Sequence, residues 1–218
     1  MISIEYSYFD MASNENEVKE NFNQANKYKI DVISVLPFYI KLIKNTIDNI
    51  KIASPIDYPC GILDTKSRVS ATEAAIKSGA QIIDVVVPCY YLSNRKYDKF
   101  REDIKNIKLV TDEHKVLLRY ILEYRIYSYE LLYRICQILL DFNVDSVLPS
   151  TGFGLDDISD NIIAAALINK KIPKLNIICN GNIWNAKHID LVQKANLSSI
   201  RVSSIHSLEL LHKKFNTF

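Results

Sequence analysis

Asp84 lies inside the run Ile82-Ile83-Asp84-Val85-Val86-Val87, a carboxylate in an apolar strand, where an unpaired charge is costly. It needs a cationic partner in either of two roles: a buried ion pair that holds the fold, or a general acid/base whose pKa is set by desolvation and a neighbouring cation. Arg201 is a candidate partner. With Ile200 and Val202 facing helices, period-two alternation turns Ser199, Arg201 and Ser203 inward. A guanidinium stays protonated, so Arg201 can pair with Asp84, with a substrate anion or with both, and can stabilise an oxyanion, but it cannot form an imine. A third feature is Val147-Leu148-Pro149-Ser150-Thr151-Gly152-Phe153, a short buried strand opening into a loop of hydroxyls and a glycine. Small residues at a strand's C-terminal edge let backbone N–H groups approach an anion closely.

Other chemistries find little support. His114, His188, His206 and His212 fall on predicted helices or in the turn before a strand, away from the active rim, and no metal site is expected. Cys60, Cys89, Cys136 and Cys179 are far apart with no C-x-x-C pair, which argues against a zinc knuckle or a disulfide framework. No G-x-G-x-x-G, Walker or nucleophile-elbow motif occurs, and no cofactor is expected. Tyr8, Tyr90 and Tyr91 are candidates to line the mouth of the site.

The elements that position these residues follow from periodicity. Short apolar runs alternate with amphipathic stretches: strands at Ile4–Tyr6, Val32–Val35, Ile52–Ser54, Ile82–Val87, Val116–Leu122, the run from Val147, Asn176–Cys179 and Ile200–Val202. Helices are expected at Asn14–Tyr28, through Lys41 and Ile47, at Ser67–Ser78, Tyr97–Thr111, Ser128–Phe142, Asp157–Lys170, Ala186–Ala195 and Ser204–Lys214, with Ser93-Asn94 in a polar loop. Eight βα units without a composition break predict an α/β fold, one (β/α)8 TIM barrel over residues 1–218. Function in such a barrel sits at the C-terminal ends of the strands. The 218 residues suit one barrel, and a net charge of +2 gives no reason to expect a nucleic-acid or membrane partner. The N-terminus lacks the pattern of a signal peptide, so a cytoplasmic location is expected.

Three blocks carry a family resemblance: Ser78-Gly79-Ala80-Gln81-Ile82-Ile83-Asp84-Val85-Val86-Val87-Pro88, Val116 to Glu123, and Val144-Asp145-Ser146-Val147-Leu148-Pro149-Ser150-Thr151-Gly152-Phe153. Asn180-Gly181-Asn182 and Ser199 to Ser204 add weaker matches. Together they resemble the deoxyribose-phosphate aldolase family, class I aldolases that form a Schiff base on a barrel lysine. The resemblance implies an acid–base role for Asp84 and a site role for Glu123. It implies phosphate binding by Ser150, Thr151, Gly152, Gly181, Asn182, Ser203 and Ser204, with Asn182 where the family has a glycine. It places Leu148 at the position of the Schiff-base lysine, Ile178 at that of the lysine that tunes it, Arg119 at that of the strand-five lysine and Arg201 at a glycine.

An imine needs an amine that loses its proton near neutral pH, and Leu148 has none. Lys66 and Lys96 are the lysines left near the predicted rim. Arg201 is expected to fill volume vacated by the two lysines. Two function classes follow. One is a lyase or isomerase acting without a Schiff base on a small phosphorylated or carboxylated carbonyl compound, with Asp84 as acid/base and Arg201 or Arg119 stabilising the anion. The other is a catalytically inactive homologue serving as a binding, regulatory or interaction module. A homodimer is implied by the resemblance alone.

Overall fold

A computed structural model describes residues 2–46, 49–154, 157–195 and 197–215. The short β-branched runs become β1 (Ser3–Tyr8), β2 (Val32–Val35), β3 (Lys51–Ile56), β4 (Ile82–Val86), β5 (Leu117–Ile121), β6 (Ser146–Leu148), β7 (Ile178–Asn180) and β8 (Ser199–Val202). They pair in parallel in the order β6-β5-β4-β3-β2-β1-β8-β7. The circle closes where β6 meets the approach to β7, through one parallel bridge between Val147 and Ile177 and a 2.9 Å bond from the Val147 N–H to the Asn176 carbonyl. This is a (β/α)8 barrel, as the alternation predicts.

The helices are α1 (Glu15–Ala25), α2 (Ile40–Lys44), α3 (Thr65–Ser78), α4 (Cys89–Ser93), α5 (Tyr97–Glu113), α6 (Tyr129–Asp141), α7 (Ile158–Lys171), α8 (Ala186–Lys194) and α9 (Ile205–Phe215). Asn14, Asp64, Ser128, Asp157 and Asn185 cap five of them, their side-chain oxygens accepting first-turn N–H groups. Each cap fixes where a βα loop ends, and so fixes the rim on which a site can be built. The first helix stops at Ala25 rather than Tyr28, and the stretch expected as a loop near Ser93 folds from Cys89 as α4. Ile47 lies outside the described residues. Among those residues no helix is long and apolar enough to cross a membrane.

Outward strand residues such as Tyr6, Ile83, Tyr120 and Val202 pack against Phe22, Ile104, Leu132 and Leu208 in the main core. Inside the barrel the layers differ in kind. Val32, Ala53 and Ile82 form an apolar layer at the N-terminal end, and Val86, Ile121, Leu148 and Ile178 form another towards the C-terminal end. Between them, at the middle register of β1, β4, β5 and β8, lie Glu5, Asp84, Arg119 and Arg201. All four are at most 4% exposed.

Candidate functional site

Alternation on the four strands aims four charged side chains at the barrel axis, and they close into a ring. Arg119 donates from Nε to Asp84 Oδ1 at 2.6 Å, from Nη2 to Asp84 Oδ2 at 3.1 Å and from Nη1 to Glu5 Oε1 at 2.8 Å. Arg201 donates from Nε and Nη2 to Glu5 Oε2 at 3.0 and 2.7 Å, and its Nη1 lies 2.8 Å from Asp84 Oδ2. Ser34 Oγ adds a 3.4 Å bond to Asp84 Oδ2. Two carboxylates face two guanidiniums, so the ring carries no net charge and each acid is held by both bases.

This geometry supplies the cationic partners that either role of Asp84 requires. Burial pushes its carboxyl pKa up, but Arg119 and Arg201 outweigh burial and hold it below the usual range. Burial opposes the Arg119 charge in the same way, and Asp84 and Glu5 override it and raise its pKa. A fully buried carboxylate with both oxygens engaged is a structural ion-pair partner. In this arrangement both oxygens of Asp84 and the Arg119 guanidinium are engaged with one another and with their neighbours Glu5 and Arg201.

Above the ring a pocket of about 390 Å³ opens at the C-terminal ends of β1, β5, β6, β7 and β8. Ile121, Leu148 and the outer edge of Arg201 form its floor, Ser7, Ser150, Thr151, Asn180 and Ser203 its wall, and Tyr8, Phe9, Tyr58 and Trp184 its aromatic margin. Gly152, Gly181 and Asn182 also line it. Leu148 and Ile178 pack with Val86 and Ile121, so the two positions that the resemblance assigns to amines belong to an apolar layer beside the ring.

The wall is braced from behind. Glu123, in a left-handed turn at φ 49°, accepts from the Thr151 N–H at 3.0 Å and the Thr151 hydroxyl at 2.5 Å. It lies outside the pocket lining and braces the loop at Thr151. Asn180 clamps the same loop through Nδ2 to the Ser150 carbonyl at 3.0 Å, and Asn161 holds Asn180 in turn. Asn182 accepts from the Ser203 N–H at 2.8 Å and donates to Ser203 Oγ at 2.9 Å. Ser204 is outside the lining as well; its Oγ accepts from the Ser207 N–H at 3.1 Å and caps α9.

Lys66, in the first turn of α3, and Lys96, which donates to Tyr90 Oη at 3.0 Å, are exposed and do not line the pocket. Tyr8 does line it, whereas Tyr90 and Tyr91 sit on α4 outside it. His188 is on the rim side after all, in the first turn of α8, where its Nδ1 accepts from the Trp184 N–H at 3.3 Å. Sequence reading missed Glu5. The signal was present: Ile4 and Tyr6 face outward, so Glu5 must face inward, and two inward arginines call for a second inward carboxylate. It also missed Arg68, fully buried between Asp57 and Asp103, which anchors the loop that carries Tyr58.

No family model matches the chain. The sequence is 26% identical over 214 residues to the deoxyribose-phosphate aldolase of Mycoplasmopsis pulmonis, covering 97% of this chain and 94% of that one. It is 28% identical over 211 residues to that of Mycoplasmoides pirum, covering 92% and 90%. Among solved structures, an aldolase designated QR15 superposes with a TM-score of 0.87 at 22% identity, covering 96% of this chain and 94% of its own. The deoxyribose phosphate aldolase of Aeropyrum pernix superposes with a TM-score of 0.84 at 17% identity, covering 97% and 89%.

Proposed function

Since the chain belongs to the deoxyribose-phosphate aldolase family, yet carries Leu148 and Ile178 where the resemblance places that family's two lysines, we propose that it is a binding barrel. It holds a small sugar-like metabolite at the C-terminal mouth and forms no imine. The observation that carries this reading is the closed charge ring beneath an apolar layer. A lyase or isomerase working through Asp84 needs that carboxylate to meet the substrate, whereas Asp84 is fully buried with both oxygens on guanidiniums. The mouth itself is formed and concave, lined by aromatic rings with a few convergent polar groups, which is the usual character of a small-molecule site.

Two measurements test it. Borohydride reduction in the presence of deoxyribose 5-phosphate is expected to leave the intact mass of the protein unchanged. A covalent adduct on any lysine, Lys66 and Lys96 included, overturns the non-imine reading. Thermal shift against a panel of free and phosphorylated sugars is expected to raise the Tm with at least one member, by mass action on the folded state. Trp184→Ala, an exposed rim change, should diminish that rise without lowering the Tm of the free protein.

A further inference from the structure

Any anion that enters this pocket must be met by a cation or by uncommitted N–H groups, because a desolvated charge is otherwise costly. Among the described lining residues the chain itself takes up much of both. Arg201 is the one cation among them, and its charge is answered by Glu5 and Asp84, which its Nε, Nη1 and Nη2 each approach. Four backbone donors of the small-residue loops are answered by the chain's own oxygens. The Gly152 N–H donates to Ser150 Oγ at 2.9 Å and the Phe153 N–H to Thr151 Oγ1 at 3.2 Å. The Thr151 N–H donates to Glu123, and the Gly181 N–H to the Arg201 carbonyl at 3.0 Å. At Ser203, the Asn182 carboxamide oxygen sits 2.8 Å from the N–H, where a ligand oxygen would otherwise be received. Asp10 adds a carboxylate at the rim.

What remains suits an uncharged molecule with many hydroxyls. Ser7 and Ser203 offer hydroxyls, and Phe9 and Tyr58, with ring centroids 4.9 Å apart, offer apolar faces beside Trp184. Resting on the binding-barrel reading above, we infer that the ligand of this pocket is an uncharged polyhydroxylated compound, a free sugar or sugar alcohol, and that Asn182 is the residue that excludes phosphate esters and carboxylates. An uncharged ligand departs from the anionic one expected from the small-residue loops, several of whose donors the chain fills itself.

Isothermal titration separates the outcomes. Wild-type protein is titrated with free pentoses and hexoses, with their 5- or 6-phosphates and with inorganic phosphate, alongside Asn182→Gly, whose fold is checked by circular dichroism and Tm. The expected result is that wild type binds a free sugar at least about tenfold more tightly than its phosphate ester and gives no heat with inorganic phosphate. Asn182→Gly, with the Ser203 N–H released, gains about tenfold or more for inorganic phosphate, the scale of one charge-assisted hydrogen bond. Preference of the wild type for a phosphate ester overturns this inference and leaves the binding-barrel reading standing. Absence of binding by every sugar and every phosphate overturns the binding-barrel reading, and this inference falls with it. An Asn182→Gly protein that binds phosphate no better than wild type removes Asn182 from the role assigned to it.

Discussion

Removing the Glu5 carboxylate leaves Arg119 and Arg201 sharing Asp84 alone, an uncompensated positive charge between two apolar layers. Breaking a buried pair in this way costs about 3–5 kcal/mol, so Glu5→Gln should lose that much in urea unfolding. Replacing Glu5 and Arg201 together by Leu and Met removes one charge of each sign and keeps the Asp84–Arg119 pair, so the double variant should lose less than Glu5→Gln. Equal losses would mean that the ring is not a charge-balanced unit. The pH dependence has a definite sign. Asp84 has a folded pKa below its unfolded value of about 3.9. Its contribution is therefore complete above that value and is lost as pH falls through the folded pKa. Asp84→Asn should lower stability at neutral pH and flatten the stability profile below about pH 4, as followed by urea titration at each pH. Asp84 and Arg201 were legible because each breaks an apolar pattern at an inward position. Glu5 was legible only in part: the alternation of Ile4-Glu5-Tyr6 turns it inward, but no apolar run frames it.

At the scale of elements, the loop between β3 and α3 decides whether Tyr58 stands at the rim. Asp57 ties it down, accepting from the Ile62 N–H at 3.0 Å, the Leu63 N–H at 3.1 Å and Arg68 Nη1 at 2.8 Å. Tyr58 Oη then donates to the Thr151 carbonyl at 3.1 Å, coupling the third βα loop to the sixth. Gly61 makes the turn at φ +62°, and a Cβ there would drive into the Val87 carbonyl oxygen. Gly61→Ala should cost at least about 2 kcal/mol and weaken sugar binding as well, read by denaturation and titration of the same protein. The strands were legible because β-branched runs punctuated by Gly, Pro and Asn leave little choice of period. The short α4 was not. Pro88 ends a strand, and the same fixed φ also suits the start of a helix, so its sequence signal reads both ways. The brace from Glu123 was hidden for a different reason: it depends on a left-handed backbone at a non-glycine residue, which composition does not announce.

The whole barrel is held unevenly. β4 and β5 share five register pairs, whereas β6 and the approach to β7 share one bridge. Local opening should begin at that seam, and amide hydrogen exchange in β6 and β7 should outpace that in β3 and β4; equal protection around the circle would count against a weak seam. The pocket draws its wall from both sides of this join, so a bound ligand should slow exchange there more than elsewhere. The charge ring has a consequence at the same scale. Glu5, Arg119, Asp84 and Arg201 alternate in sign around a closed circuit, so their far field cancels within a short distance. Together with an overall charge of +2, this leaves the floor of the pocket with little field to steer an incoming molecule. Ligand affinity and association rate should then stay level from low to physiological ionic strength, where a site built on an exposed cation would lose both to screening.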